Sequence, residues 1–494
     1  MNKFRPFLEA PCGKIAGFYE NNQALFLGIP YAKPPVGDLR WRNPVEMPVF
    51  RDVFFADKYG GTCPQPKSTW IEIEEDTQSE DCLYLNIRAS RNACGSLPVA
   101  VHIHGGGYTI GTGANEDEDG RNFVEQGMIF VTINYRLGPY GFLYLDDIDK
   151  SCQGSGCIGI LDQIAALRWV KKNIAAFGGN PDEVTILGCS AGGGSVAALM
   201  VVEQAKGLFN KAIAQSGSLR LTKSVEKANA VAQTFMKYTG VANLSEMRAL
   251  PHEKLFKAYS RTLKKYGFTA KETAFAPVRD NVVIPEEPFL ALEHGAAKGV
   301  KFLTGTAKDE MNGFKHISRI TKILSFRIFK WIVPQDVSEY FGRIDDVVAD
   351  FYNRNYKFLS KPDRLFKAAT AGVFLLPQLH MAIAQSKYAP VYYYRFDWGG
   401  KDGALHGSES PFVFGRYDAD VKPDREYRKP PQTVVNAMHN AWAAFIKTGT
   451  PATGTTINWE LFDDTNYATM LIDEKCELKH DPDKHERVFW DNLN

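Results

Sequence analysis

Residues 184–194 read Val184-Thr-Ile-Leu-Gly188-Cys-Ser190-Ala-Gly192-Gly-Gly194, and they are the strongest indication of the fold. The apolar run over 183–187 predicts a buried strand, and the small residues after Ser190 predict that a helix begins there. A Gly-x-Ser-x-Gly sequence by itself is weak evidence, because a chain of this length can contain one by chance. Placed between a strand and a helix, it is typical of a nucleophile elbow, a sharp turn that exposes the serine hydroxyl at the sheet edge.

The glycines on either side of Ser190 agree with this interpretation. Side chains at Gly188 and Gly192 would collide with neighbouring backbone in so sharp a turn. The helix that follows would direct its free N–H groups and its dipole toward the reaction centre. The sequence therefore predicts that Ser190 is a nucleophile.

A second glycine-rich motif, His104-Gly-Gly-Gly-Tyr108, follows a predicted strand directly. Glycine lets backbone N–H groups face a ligand oxygen without interference from a Cβ atom. Together with the N–H of Ala191, those of Gly106 and Gly107 would form an oxyanion hole. The alternative is a glycine-rich turn without a ligand, which the presence of the elbow disfavours.

A serine hydroxyl needs a general base and a group that orients the base. The order expected after the nucleophile is acid and then histidine. His406 lies in a glycine-punctuated loop after a predicted strand and is the candidate base, whereas His439 lies in a helical pattern and is interpreted as a packing residue. For the acid, Glu310 follows the strand at 300–303, but spacing does not exclude the adjacent Asp309.

Short apolar segments alternate with helical patterns along the chain, such as the helix predicted over 161–174. This alternation predicts an α/β fold with a mainly parallel sheet covered by helices on both faces. The strands are predicted at 97–104, 128–134, 183–187, 211–214, 300–303 and 390–395. Residues 1–494 are expected to form one domain with long helical insertions near 223–263 and 315–388. Within the second insertion, 315–333 is predicted to be an amphipathic helix packed on the body, with a lid or membrane-facing gate as the alternative.

Composition excludes several classes of protein. The 494 residues carry 58 basic and 57 acidic side chains, a net charge of +1, so no strong field is available for nucleic acid or an anionic membrane. There is no run of 18 apolar residues and no secretory signal at the N-terminus, which predicts a cytoplasmic protein without a membrane span. The eight cysteines are too few for a disulfide scaffold. Free thiols are favoured over a bond between Cys63 and Cys82, and the Cys152/Cys157 spacing does not indicate a zinc site.

Further motifs run nearly from end to end of the chain: Gly28–Trp41, Ser79–Asn86, Asn134–Gly138, Leu161–Gln163, Asn173–Pro181, Gln215–Gly217, His406–Glu409 and Trp442–Pro451. With the two glycine motifs, they resemble the type-B carboxylesterases of the carboxylesterase/cholinesterase family, in the α/β-hydrolase superfamily. The resemblance implies the α/β-hydrolase fold, a small-molecule ester as substrate and no metal or organic cofactor. It also implies an acyl-enzyme mechanism, and it leaves the oligomeric state undetermined.

The resemblance also assigns roles residue by residue. It implies that Ser190 is the nucleophile, His406 the base and Glu310 the acid, in preference to Asp309. It places oxyanion donors at Gly106, Gly107 and Ala191. A hydroxyl close to the acid is implied at Ser216.

Two departures from the family pattern concern the substrate site. Cys189 stands where the family commonly has a glutamate, which removes a carboxylate from the surroundings of His406. The elbow is expected to direct the Cys189 side chain away from the reaction centre. Trp70 lacks the setting typical of cholinesterases, so a choline site is not expected. Tyr108 is predicted to lie near the acyl group, and Phe268 and Phe314 to line the pocket.

The substrate class leaves alternatives open. An aryl or hydroxycinnamoyl esterase and a lipase-like hydrolase remain within the same chemistry. A non-catalytic, cholinesterase-like binding protein is the alternative from another class. It is disfavoured because all three triad positions are kept.

Overall fold

The computed structural model describes residues 5–68, 73–93, 95–266, 274–316, 346–399, 403–416, 431–452 and 458–493. The strands in these ranges are β1 (Phe7–Ala10), β2 (Gly13–Ala16), β3 (Phe18–Glu20), β4 (Gln23–Pro30), β5 (Phe54–Phe55), β6 (Tyr84–Ser90), β7 (Leu97–Ile103), β8 (Ile129–Ile133), β9 (Gly179–Cys189), β10 (Lys211–Gln215), β11 (Lys301–Ala307), β12 (Val391–Phe396), β13 (Ala468–Ile472) and β14 (Glu477–His480). The α-helices are α1 (Arg121–Glu125), α2 (Gly138–Phe142), α3 (Ile158–Asn173), α4 (Ala191–Val201), α5 (Val225–Thr239), α6 (Leu244–Arg248), α7 (His252–Tyr266), α8 (Pro288–Glu293), α9 (Asp346–Asn355), α10 (Lys361–Thr370), α11 (Leu376–Ser386), α12 (Ser410–Val413), α13 (Gln432–Thr448) and α14 (Lys484–Asp491).

One large sheet of 11 strands organises the described residues, in the order β14-β13-β12-β11-β10-β9-β7-β8-β6-β4-β3. The strands from β13 to β8 in this order pair in parallel, and the pairings beyond them are antiparallel. A separate small sheet contains β1, β2 and β5. The six predicted strands correspond to β7 to β12, and the predicted α/β arrangement with a mainly parallel sheet is confirmed.

The central strands are apolar on both faces because helices cover both sides of the sheet. All five residues of β8 and of β10 are buried. Two apolar clusters lie in the core: one includes Phe235 and Tyr259, and the other includes Trp442 on α13. Burial on both faces explains why these strands read as continuous apolar runs instead of alternating patterns.

The predicted insertions are helical where the structure describes them. Helices α5, α6 and α7 occupy the first insertion, and α9, α10 and α11 occupy the described part of the second. Nearly all of the amphipathic segment predicted at 315–333 lies outside the described residues. A search of the described helices for one long and apolar enough to cross a bilayer found none.

Parallel strands bring their carboxyl ends to one edge of the sheet, where ligands bind in open α/β folds. The loops after β7, β9, β11 and β12 carry the predicted motifs at 104–108, 190, 310 and 406. Topology therefore gathers residues that are as much as 300 positions apart in the chain.

Candidate active site

Ser190 occupies the turn between β9 and α4 with φ 58° and ψ −123°, a conformation rare for a residue with a side chain. Its N–H donates to the carbonyl of Gln215 (2.9 Å), which ties the turn to the end of β10. A Cβ atom on Gly192 would lie 2.1 Å from the carbonyl oxygen of Ile103, and one on Gly188 would lie 2.6 Å from the same atom. The close approach of backbone explains the glycines of the motif.

The imidazole of His406 lies between the serine and the acid. The Ser190 hydroxyl is 2.8 Å from Nε2, and Oε2 of Glu310 is 2.6 Å from Nδ1. This geometry suits a hydroxyl that donates to Nε2 and an Nδ1–H that donates to the carboxylate. The three residues thus form one continuous hydrogen-bonded chain.

Glu310 is completely buried at the end of β11, and its second oxygen accepts from the N–H of Ala307 (2.8 Å). The neighbouring Asp309 turns toward the loop that carries His406, where its Oδ2 accepts from the N–H of Ala404 (3.3 Å). Of the two carboxylates that spacing left open, the structure brings Glu310 to His406.

Burial by itself lowers the pKa of His406 by disfavouring the imidazolium. The charge of Glu310 and its hydrogen bond outweigh this effect, so that the pKa is raised above its ordinary value. The Glu310 carboxylate therefore favours the protonated form of the His406 imidazole.

The loop that follows β7 packs against the elbow. A Cβ atom on Gly105 would lie 2.7 Å from the carbonyl oxygen of Cys189 and 3.4 Å from the Cβ of Ser190. Gly106 (φ 109°) and Gly107 (φ 60°) adopt left-handed conformations that favour glycine. Hydrogen bonds fix the loop at both ends: Tyr135 to the carbonyl of His104 (2.9 Å) and Tyr259 to that of Thr109 (3.1 Å).

Two further residues close to the triad form a polar contact inside the core. Ser216, at φ 47°, donates from its hydroxyl to Oε1 of Glu409 (3.3 Å), not to Glu310. Both residues are completely buried. Burial, followed by the charge of Glu310, raises the pKa of Glu409 to about 7. The charge of Glu409 in turn contributes to the raised pKa of His406.

Glu409 is the titratable residue that sequence reasoning missed, although it lies in the quoted motif His406–Glu409. The signal was available: an acidic residue lies three positions after His406 and directly before the first residue of α12, Ser410. A carboxyl group beside the imidazole therefore exists even though position 189 has none.

Cys189 directly precedes Ser190 and is mostly buried. Burial, together with the charges of Glu409 and Glu310, raises the pKa of its thiol well above the ordinary range. A neutral thiol is a poor nucleophile. The electrostatics thus argue against Cys189 as an alternative nucleophile.

Of the predicted pocket residues, only Tyr108 has a side chain that the structure describes. Tyr108 is only 1% exposed, and its ring packs against Phe142 (centroids 5.0 Å apart). The predicted place of Tyr108 near the acyl group stays a prediction. Phe314 lies in the 3₁₀ segment Glu310–His316, but its side chain is outside the described part, as are Phe268 and Trp70.

The structure also describes the second candidate histidine, Cys63 and Cys82, and side chains of the kinds that hold a metal ion. His439 is buried, with Nδ1 2.8 Å from the carbonyl oxygen of Val413, as a packing residue would be. Cys63 and Cys82 are free thiols, and Sγ of Cys63 accepts from the N–H of Leu137 (3.1 Å). Among the described residues, no group of three or more His, Cys, Asp or Glu side chains is arranged to hold a metal ion.

Comparison with known proteins agrees with this geometry. The model of the carboxylesterase family matches residues 5–490. The para-nitrobenzyl esterase of Bacillus subtilis (strain 168) is 37% identical over 489 residues, which cover 96% of each chain. The phenmedipham hydrolase of Pseudarthrobacter oxydans is 31% identical over 504 residues, 98% of each chain. The solved structure of a Geobacillus stearothermophilus carboxylesterase superposes with a TM-score of 0.88 at 33% identity, covering 98% of this chain and 99% of that one.

The match thus extends over nearly the whole chain, at both the sequence and the structural level. It covers the elbow, the glycine loop and the strands that carry them. The protein belongs to the carboxylesterase family and is a serine hydrolase of carboxylic esters, with small-molecule esters as its substrates.

Proposed function

We propose that Ser190, His406 and Glu310 are the catalytic triad of this esterase. Ser190 attacks the ester carbonyl while Nε2 of His406 accepts its proton, and Glu310 holds the imidazole in the required tautomer. His406 then protonates the departing alcohol. Water repeats the sequence on the acyl-enzyme and releases the acid. The hydrogen-bonded chain from Ser190 to Glu310 is the observation that carries this proposal.

The backbone N–H groups of Gly106, Gly107 and Ala191 are proposed to bind the oxyanion. The contact of Gly105 with the elbow and the left-handed conformations of the next two glycines support this role. Each such donor is worth on the order of 3 kcal/mol in the transition state. Because the loop is fixed by Tyr135 and Tyr259, little reorganisation is needed when charge develops.

Ser190→Ala tests the proposal with a chromogenic short-chain ester. We expect less than about a thousandth of the wild-type kcat, because the residual rate would come from binding and the oxyanion hole alone. The matched control is Ser218→Ala, another serine near the end of β10, whose hydroxyl caps a 3₁₀ turn. Retention of activity in the Ser190 variant, or an equal loss in the control, would contradict the proposed nucleophile.

The activity of a similar esterase indicates which substrates to assay first. One relative is called a para-nitrobenzyl esterase, so para-nitrobenzyl esters are the first substrates to assay. A panel that varies the acid and the alcohol separately would distinguish the remaining alternatives. A strong preference for aromatic acyl groups would indicate an aryl or hydroxycinnamoyl esterase, and a rate increase above the solubility limit of the substrate would indicate a lipase. The cytoplasmic location stays a prediction.

A further inference from the structure

The chain from Lys361 to Ser386 is a helix with a wider turn at its centre. Between α10 and α11, residues Ala371–Leu375 form a π-helical turn, in which the N–H of Leu376 donates to the carbonyl of Ala371. The next residue, Pro377, has no N–H, so the regular α-helical hydrogen bonds are interrupted here. Turns of this kind occur frequently at functional sites.

Phe374 lies on the π turn and contacts the proposed base. The centroid of its ring is 4.8 Å from that of the His406 imidazole, with 41° between the planes. Leu375 and Leu376, which follow it, are buried, whereas Phe374 is partly exposed. An aromatic side chain of the π turn therefore packs against the His406 imidazole.

The helix is anchored on both sides of the turn. The hydroxyl of Thr370 accepts from the N–H of Met311 (3.2 Å), the residue directly after Glu310. On the other side, Nε2 of Gln378 donates to the hydroxyl of Thr304 (2.8 Å), on β11, and to the carbonyl of Ala214 (3.0 Å), on β10. The position of the turn is thus fixed relative to the acid and to the sheet.

The two hydrogen bonds of the His406 ring require one setting of the imidazole about its Cβ–Cγ bond. Rotation about that bond moves Nδ1 away from Glu310 and Nε2 away from Ser190. A ring packed against the imidazole from an anchored helix opposes this motion.

We propose that Phe374 is a positioning residue, whose ring holds the His406 imidazole in the orientation that bonds Glu310 and Ser190 at the same time. The inference rests on the proposed function of the triad. Phe374 acts through His406, so its removal changes the chemical step for every ester. A residue that only lined the substrate pocket would instead change KM, or would discriminate between esters.

The test compares Phe374→Ala, Phe374→Leu and Phe374→Tyr on 4-nitrophenyl acetate and 4-nitrophenyl benzoate. We expect kcat of the alanine variant to fall about 30-fold, equally for both esters, with KM within about threefold of wild type. The tyrosine variant keeps the aromatic ring and should retain at least a third of kcat, and the leucine variant should lie between the two. If the alanine variant does not fold, the ratio of the tyrosine and leucine kcat values carries the test.

Phe351→Leu is the matched control. Phe351 on α9 stacks on Phe489 of α14 (centroids 3.7 Å apart), so the substitution also removes one aromatic contact. We expect kcat of this control to remain unchanged. An unchanged kcat in Phe374→Ala, a loss confined to the benzoate or to KM, or equal tyrosine and leucine values would overturn the inference. If Ser190→Ala is inactive, such a result refutes the role of Phe374 alone; if Ser190→Ala is active, the triad and this inference both fail.

Discussion

Glu310→Gln tests whether the carboxylate orients His406, because the substitution changes its hydrogen bonding and charge but hardly changes its shape. Glutamine has nearly the same volume, and its amide oxygen can keep the hydrogen bond that Oε1 accepts from the N–H of Ala307 (2.8 Å). The amide NH₂ then faces Nδ1 of His406, where Oε2 stood at 2.6 Å. Two donors cannot face each other, so Nδ1 must become the acceptor. The imidazole proton then moves to Nε2, which faces Ser190 and can no longer accept its proton.

The expected loss is about 10⁴-fold in kcat, as for an acid-to-amide change in another triad. At 1.36 kcal/mol for each factor of ten, this is about 5 kcal/mol of transition-state stabilisation. The assay is steady-state hydrolysis of 4-nitrophenyl acetate, with a melting curve to show that the variant is folded. The buried amide has its partners, so we expect the fold to be retained.

Asp309→Asn is the matched control, because it makes the same chemical change at the adjacent residue. Asp309 bonds the N–H of Ala404 and not the imidazole, and an asparagine oxygen can accept the same hydrogen bond. We expect kcat within about tenfold of wild type. If Glu310→Gln kept more than about a hundredth of kcat, or if Asp309→Asn lost as much as Glu310→Gln, the assignment of the acid would be refuted.

Two more predictions follow from the geometry. The base must be neutral to accept a proton, and Glu310 raises the pKa of His406. We therefore expect kcat/KM, measured from pH 5 to 9, to increase with pH through an apparent pKa above the ordinary value of about 6.5. A flat profile would contradict the role of His406. Gly192→Ala would place a Cβ 2.1 Å from the carbonyl oxygen of Ile103, so it should lower both the melting temperature and kcat. Gly207→Ala, which introduces a Cβ into open space at φ 75°, should lower the melting temperature less and leave kcat unchanged; equal effects of the two glycine changes would show that the elbow tolerates a side chain.

The local parts of the site could be read from sequence because their chemistry depends on neighbouring residues. Gly188, Ser190 and Gly192 lie within one turn, and the apolar runs around them carry the strand and helix signals. The oxyanion loop is local in the same sense. The resemblance to a family then selected Glu310 over Asp309, a choice that spacing alone left open.

Contacts between distant segments are visible only once the chain is folded. The contact of Glu409 with Ser216 spans 193 positions, and the ring of Phe374 reaches the loop of His406 from a π turn between α10 and α11. The predicted pocket position of Tyr108 stays a prediction, because adjacency to a functional loop does not determine which face of the backbone carries the side chain. The elbow, the glycine loop and the mainly parallel sheet could be predicted from the sequence, because strand and turn preferences act over a few residues. Which carboxyl groups and aromatic rings surround the imidazole depends on how helices dock on that sheet, and no local preference encodes that docking.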